Sequence, residues 1–534
     1  MKLATRLLMI LLLAALLQSC AEVIEHQTAG NDSNSPSLEG KWTVLFYAAG
    51  TSAEDNLPNG QSRMTASFQS LERVFPANAV HCLALLGTAT GDGHCRYMEV
   101  RFQPNDVGDD LSATELGDWG GRDMSSPALL EQFVDSAVQR NPAEHYMLII
   151  GGDGDGWKGS CRDDVNGAGH LLTHPEFDAV IQQVTTPDGE PFHADLLLWL
   201  TPGMGNLEIA YEFKNMADYV LAAPSVATQP GFMALDQWYL DLNLNPDMTP
   251  ERLGEFVVSR MQQKAQAAHD SLATFDLLNV SQMTNLADAV DQLSDALGAA
   301  LPAHGAAILT LWQQLWDERT DDSSCVDLKL FARTLSSSPE FVNLPAILSA
   351  AQAVNDQLEQ VAVYQRTTRA GPNRDGVMIY APLQSNSAEM SQYEHLRLSL
   401  ERPAWLTFLH EIQTSGPALV QVSGDISWAG HTVQEVYLFV NTAQTGAPSV
   451  YLVTPATITN VITPGQVEIV SSFALPDDSV SAYLGAFQDV DHSQTLSAGD
   501  RFGYYHHNSP LRDWLTIHNG DELDSVHIEL TVTR

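Results

Sequence analysis

Four short apolar runs, Thr43 to Ala49, Cys82 to Leu86, Tyr146 to Ile150 and Leu196 to Leu200, are hydrophobic at consecutive rather than alternate positions. Strands buried on both faces read this way, so the runs predict parallel strands covered on each side. Between them, residues 128–139 place Leu129, Leu130, Phe133, Val134, Ala137 and Val138 at helical spacing behind Pro127, which suits a first helical turn. Strands alternating with helices predict a doubly wound α/β layer, its sheet mostly parallel and its helices on both faces. Helical patterns at Asn285 to Leu297 and Ala303 to Trp316 follow, then a strand-like Gly376-Val377-Met378-Ile379-Tyr380-Ala381.

Beyond about residue 415 the period changes to two. Val436 to Asn441, Val450 to Thr454, Val467 to Phe473, Ser481 to Phe487 and Val526 to Val532 are separated by Gly, Pro, Asn and Asp. Short strands with this punctuation predict an all-β sandwich over residues 415–534, separated from an α/β domain over 41–414 by the break at Gly416-Pro417.

The chain opens differently. Lys2 and Arg6 precede an apolar run from Leu7 to Leu17, too short to span a bilayer, which ends at Gln18-Ser19-Cys20. Leu17-Gln18-Ser19-Cys20 resembles a bacterial lipobox, so residues 1–20 read as a lipoprotein signal peptide with Cys20 as the acylated residue. An ordinary signal peptide in which Cys20 is incidental is the competing reading. Ala21, not Asp, follows the cysteine, a sequence that resembles the outer-membrane default of Gram-negative lipoproteins. Residues 21–40 are polar and rich in Asn, Ser and Gly, as a flexible tether would be. The expected location is the cell envelope, with the lipid anchor as the only membrane contact.

Composition narrows the function. The chain has 534 residues, 44% of them apolar, enough for folded cores. Twenty-six Lys and Arg against 66 Asp and Glu give a net charge of −40, which repels phosphate backbones and argues against nucleic-acid binding. Besides Cys20 there are four cysteines, Cys82, Cys95, Cys161 and Cys325; in an oxidising compartment Cys82 and Cys95 could pair.

An ordered series of segments resembles the clostripain family of cysteine endopeptidases, itself caspase-like in fold. It runs through Trp42-Thr43-Val44-Leu45-Phe46-Tyr47-Ala48-Ala49, Asp123-Met124, Pro142-Ala143-Glu144-His145-Tyr146, the glycine-rich loop ending at Trp157, and Met204-Gly205-Asn206-Leu207-Glu208-Ile209-Ala210-Tyr211-Glu212. Val326-Asp327-Leu328 and Gly376-Val377-Met378-Ile379-Tyr380 continue it, so the resemblance spans about residues 41 to 412. It implies an active site at the C-terminal ends of parallel strands, where a thiolate attacks and an imidazole carries the proton.

The positions implied for that chemistry are occupied otherwise. In Gly152-Asp153-Gly154-Asp155-Gly156-Trp157 the family's histidine position is Asp153. In Leu200-Thr201-Pro202-Gly203-Met204-Gly205 the nucleophile position is Pro202, and Leu200 stands at the acid that selects a basic substrate side chain. Proline also lacks the N–H that would help hold an oxyanion. The resemblance therefore implies a scaffold with none of its catalytic residues intact: a pseudopeptidase that binds a polypeptide or protein partner without cutting it.

Other chemistry remains open at this stage. A relocated pair of Cys161 with His145, His170 or His174 would make the chain an active cysteine endopeptidase, and a surface adhesion or assembly module carried by the sandwich is a third reading. The loop from Gly151 to Gly156 could cradle a cation or polar ligand, or be an inherited tight turn. Asp163-Asp164 resembles a family Asp pair, with a structural role as the simpler reading. In the sandwich, Asp489, Asp491, Ser493 and Asp500 space oxygen ligands somewhat like a calcium loop, without the usual glycine and closing glutamate; a hairpin held by Asp-to-backbone bonds fits equally.

Overall fold

The computed structural model describes residues 40–55, 62–75, 77–89, 93–102, 114–201, 203–223, 234–269, 274–317, 324–367, 376–382, 387–415, 420–428, 436–441, 450–463, 466–473, 479–488, 501–505, 514–518, 521–530 and 532–533. Cys20 and the tether up to residue 39, Pro202, and the loop holding Asp489, Asp491, Ser493 and Asp500 lie outside them.

The chain enters through β1 (Gly40–Gly50), α1 (Arg63–Glu72), β2 (Val80–Thr88), β3 (Arg96–Glu99), β4 (Thr114–Asp118), α2 (Pro127–Arg140) and β5 (Ala143–Gly152). It continues through β6 (Ser160–Asp163), β7 (His170–Leu172), α3 (His174–Ile181), β8 (Ala194–Leu200), α4 (Leu207–Glu212) and β9 (Ala217–Ala222). Then come α5 (Leu235–Leu244), α6 (Pro250–Ala267), β10 (Thr274–Asn279), α7 (Met283–Asp317), β11 (Cys325–Asp327), α8 (Leu328–Ser337), α9 (Pro345–Val361) and β12 (Ala362–Thr367). The unit closes with β13 (Met378–Tyr380), α10 (Ser387–Tyr393), α11 (Arg397–Glu401) and α12 (Ala404–Ser415).

Nine strands form one sheet in the order β12-β10-β9-β8-β5-β1-β2-β3-β4. All four predicted runs lie in its parallel centre: β1 pairs in parallel with β2 and β5, and β8 pairs in parallel with β5 and β9. The edges are antiparallel, β3 and β4 on one side and β10 and β12 on the other.

Burial explains the unbroken apolar runs. Along β1, Trp42, Val44, Phe46 and Ala48 enter a core with α1, α5 and α6, whereas Leu45, Tyr47 and Ala49 enter the opposite core with α2 and the later helices. The six apolar residues expected on one face of α2 are all buried in that second core.

One expectation is extended and one corrected. The patterns at Asn285 to Leu297 and Ala303 to Trp316 belong to one 35-residue helix, α7, with Pro302 inside it. An interior proline costs roughly 3 kcal/mol, so the burial of Leu286, Leu293, Leu297, Ile308 and Trp312 along the helix overrides it. Cys82 and Cys95 are both free thiols, because Cys82 faces the α1 core and Cys95 the α2 core, on opposite sides of the sheet.

The C-terminal strands form two sheets. Val420–Trp428, Thr457–Thr463, Gln466–Phe473 and Glu522–Leu530 make the first, and Val436–Asn441, Val450–Pro455, Ser479–Gln488, Arg501–Tyr504, Trp514–His518 and Val532–Thr533 the second. Ile426, Val467 and Ile528 from the first meet Leu438, Leu484 and Ile517 from the second in one shared core, which is sandwich packing. This core shares no residue with the two flanking the nine-stranded sheet.

Candidate functional site

The strand order reverses between β1 and β5. After β1 the chain adds β2, β3 and β4 outward, then returns to place β5 on the other side of β1. Such a switch point leaves a crevice at the strands' C-terminal ends, the usual ligand position in open α/β sheets. That position falls here where the register ends at Ala49 and Gly152.

Gly152 makes the approach of these two strand ends feasible. Its φ is +140°, and a Cβ there would lie 2.5 Å from the Ala49 carbonyl oxygen. Asp153 follows at the crevice rim. Its Oδ2 accepts from Ser52 Oγ at 3.1 Å, its Oδ1 accepts from Gly154 N at 2.9 Å, and Arg162 Nε stands 3.1 Å from Oδ2 as an ion pair. Two hydrogen bonds and an ion pair hold this carboxylate in place.

The neighbouring strand end comes from β8. Gly151 pairs with Leu200, so the residues after Gly151 and after Leu200 leave the sheet side by side. A Cβ on Gly154 would lie 2.5 Å from Thr201 Cγ2, and one on Gly156 would lie 3.2 Å from the Gly203 carbonyl oxygen. The two loops singled out from the sequence therefore touch. Leu200 itself is buried in the α1 core with Leu196 and Leu198.

The glycine-rich loop is braced from behind. Trp157 is buried, 4.7 Å from the Tyr380 ring and 5.2 Å from the Tyr393 ring, both edge-on. Lys158 bridges Asp155 at 3.1 Å and Glu389 at 3.0 Å, and Gln392 Nε2 donates to the Lys158 carbonyl at 2.9 Å. Glu208 lies beneath, accepting from Tyr380 N at 2.8 Å and Tyr393 Oη at 2.7 Å, and burial pushes its carboxyl up. With Asp153 facing Arg162 and Asp155 facing Lys158, both loop carboxylates already have cationic partners. Among the described residues no three His, Cys, Asp or Glu side chains are grouped to hold a metal ion.

Asp163 and Asp164 are structural. Asp163 is fully buried and accepts from the backbone N–H groups of Met124, Val165, Asn166 and Gly167, and Asp164 accepts from Ala53 N at 2.9 Å.

Cys161 does not join an imidazole. It is fully buried in the α2 core with φ +55°, no histidine among the described residues is hydrogen-bonded to it, and burial pushes its thiol up to about 12. His174 is also buried, gives Nε2 to the Gly156 carbonyl at 2.9 Å, and is lowered to about 4 by desolvation. His170 is exposed at the start of β7. His145 sits near the start of β5, its Nδ1 2.7 Å from Asp195, roughly 26 Å along the strand from Asp153 at about 3.3 Å per residue.

The family model whose description is the clostripain family matches residues 118–410, more than half of the chain. The chain belongs to the clostripain family. Among solved structures it is similar to a secreted C11 cysteine protease from Bacteroides thetaiotaomicron in complex with an irreversible peptide inhibitor: 14% identity, 68% of this chain and 98% of that one, TM-score 0.49. It is also similar to an inactive zymogen C11 protease from Parabacteroides distasonis: 15% identity, 69% and 99% coverage, TM-score 0.48. No curated protein matches. The clostripain-family match ends before the C-terminal strands, and it takes in β5, β8 and both loops of the crevice.

Two residues that hold the rim, Ser52 and Arg162, carry no mark in the sequence. Ser52 follows the β1 run like any turn residue. Arg162 differs only in being a cation in a chain poor in them, flanked by Cys161 and Asp163.

Proposed function

We propose that this clostripain-family chain is a lipid-anchored envelope protein that binds a polypeptide or protein partner at the switch-point crevice and does not cleave it. The observation that carries the reading is the Asp153 carboxylate, engaged by Ser52, Gly154 and Arg162 at the position the family resemblance gives to histidine. At the nucleophile position the sequence has Pro202, which offers neither a thiol nor an N–H. Loss of nucleophile and base together lowers turnover by about 10⁶, or roughly 8 kcal/mol of barrier.

The anchor in this reading is diacylglycerol on Cys20, with the folded part displayed from the outer membrane. Metabolic labelling with a palmitate analogue in a Gram-negative host checks it: label on the full chain that disappears in Cys20→Ala supports the anchor, and equal label on both removes it.

The binding reading is checked by incubating the purified chain with a broad peptide library, with and without calcium and reductant. Reproducible retention of peptides with no new cleavage products is the expected outcome. Robust cleavage that is lost in Cys161→Ala would replace this reading with an active endopeptidase.

A further inference from the structure

We infer that the crevice selects a carboxylate on its peptide ligand, through the terminal amines of Arg162; the inference rests on the binding function proposed above and names the ligand chemistry of that same site.

Arg162 is tied to the crevice from both sides. Its N–H donates to the Asp153 carbonyl at 3.1 Å, and its own carbonyl accepts from Thr51 Oγ1 at 3.4 Å, which fixes its backbone between the β1 turn and the β5 loop. Its side chain meets Asp153 with Nε 3.1 Å from Oδ2. Neither Nη group donates a hydrogen bond among the described residues, and the side chain is 36% exposed against 19% for Asp153. An arginine fork held at one end and open at the other matches the planar, two-oxygen geometry of a carboxylate.

Lys158, on the same loop system, is committed to Asp155 and Glu389. The nearby carboxylates are also occupied: Asp164 holds Ala53 N, and Asp163 is buried under four backbone donors. Thr201, packed against Gly154 and only 2% exposed, has a hydroxyl without a hydrogen-bond partner among the described residues. The position that the family resemblance assigns to a substrate-selecting acid holds Leu200, so no carboxylate there competes for the fork. The net charge of −40 does not oppose local recognition, since charges beyond roughly 8 Å are largely screened at physiological salt.

Either a peptide C-terminus or an Asp or Glu side chain presents this group, and the test separates them. Four fluorescein-labelled alanine-rich hexapeptides are titrated into the full chain by anisotropy: one with a free C-terminal carboxylate, its C-terminal amide, and amides carrying a central Glu or a central Lys. At least one carboxylate peptide is expected to bind about tenfold tighter than the plain amide and the Lys peptide, with the preference shrinking as salt rises.

Arg162→Gln is expected to abolish the preference. Asp153→Asn keeps one acceptor oxygen where Ser52 and Gly154 now use two, while removing the counter-charge, and is expected to strengthen carboxylate binding several-fold. Equal binding of all four peptides, tighter binding of the Lys peptide, or a preference unchanged in Arg162→Gln overturns the carboxylate inference alone. Retention of none of these peptides or of any library peptide overturns the binding function with it. Should Arg162→Gln fail to fold, the Asp153→Asn titration decides: unchanged or weaker carboxylate binding refutes the inference.

Discussion

Ser52 Oγ donates to Asp153 Oδ2 across the switch point, at 3.1 Å, and so ties the turn after β1 to the loop after β5. With Arg162 on the same oxygen, the bond turns what is an opening in many doubly wound sheets into a cross-linked rim. Replacing Asp153 with Ala leaves the Gly154 N–H and the Ser52 hydroxyl without their acceptor and the Arg162 guanidinium without its counter-charge. A loss of about 1–3 kcal/mol in urea unfolding is expected, with Asp153→Asn costing less because it keeps an acceptor oxygen.

Trp157 supports that rim from behind through Tyr380 and Tyr393. Trp157→Ala removes a buried ring whose neighbours cannot close the gap, and should cost about 3–5 kcal/mol. Hydrogen exchange should show faster exchange in the loop from Asp153 to Gly159, where Lys158 and Gln392 then act alone; unchanged protection there would contradict the bracing role.

Gly154 is wedged between strand ends. A Cβ would meet Thr201 Cγ2 at 2.5 Å and the Gly159 carbonyl oxygen at 2.8 Å, and the second of these is backbone that cannot rotate away. Gly154→Ala should lower the thermal midpoint, whereas Gly189→Ala, where no atom lies within 4 Å of the added methyl, tests only the positive φ of +88°.

Glu212 makes stability fall with rising pH. Burial pushes its carboxyl up to about 6, against which Arg397, donating its backbone N–H to Oε2 at 2.8 Å, acts only in part. Because the folded-state value lies above the ordinary glutamate value of 4.5, the group's contribution is complete below about pH 4.5 and is lost as pH rises through 6. Glu212→Gln should therefore gain about 2 kcal/mol relative to the parent between pH 4 and pH 8 in denaturant titrations. Parallel stability curves for the two proteins over that range would contradict the assignment.

Cys82, Cys95, Cys161 and Cys325 are all buried and outside any disulfide. Mass spectrometry after iodoacetamide treatment should find these four unmodified in the native chain and modified in urea. Rapid native modification of Cys161 would contradict its burial, and with it the thiol held near 12.

Some of this was legible because local pattern and burial coincide. Residues of β1, β2, β5 and β8 are apolar at successive positions since both sheet faces carry helices, and the pattern needs no knowledge of which strand neighbours which. The same holds for α2, whose apolar stripe is a property of its own twelve central residues. The strand Thr457–Thr463 was not legible: it carries polar residues and irregular register at the sandwich margin, so its hydrophobic period is broken. Strand Arg501–Tyr504 is only four residues long, too short for any period to show.

By itself the chain's order of residues determined the doubly wound layer, the change to a β-rich C-terminal region, and the identities Asp153, Leu200 and Pro202, because each depends on neighbours within one element or on a residue type alone. Only the tertiary structure decided that Asp153 pairs with Arg162 and Ser52, that Cys161 lies among core side chains without an imidazole, and that Cys82 and Cys95 face opposite cores. Those outcomes depend on which strands lie side by side and which face a side chain takes. The chain settles both by burying apolar surface from residues about a hundred positions apart, and no window of local sequence contains that sum.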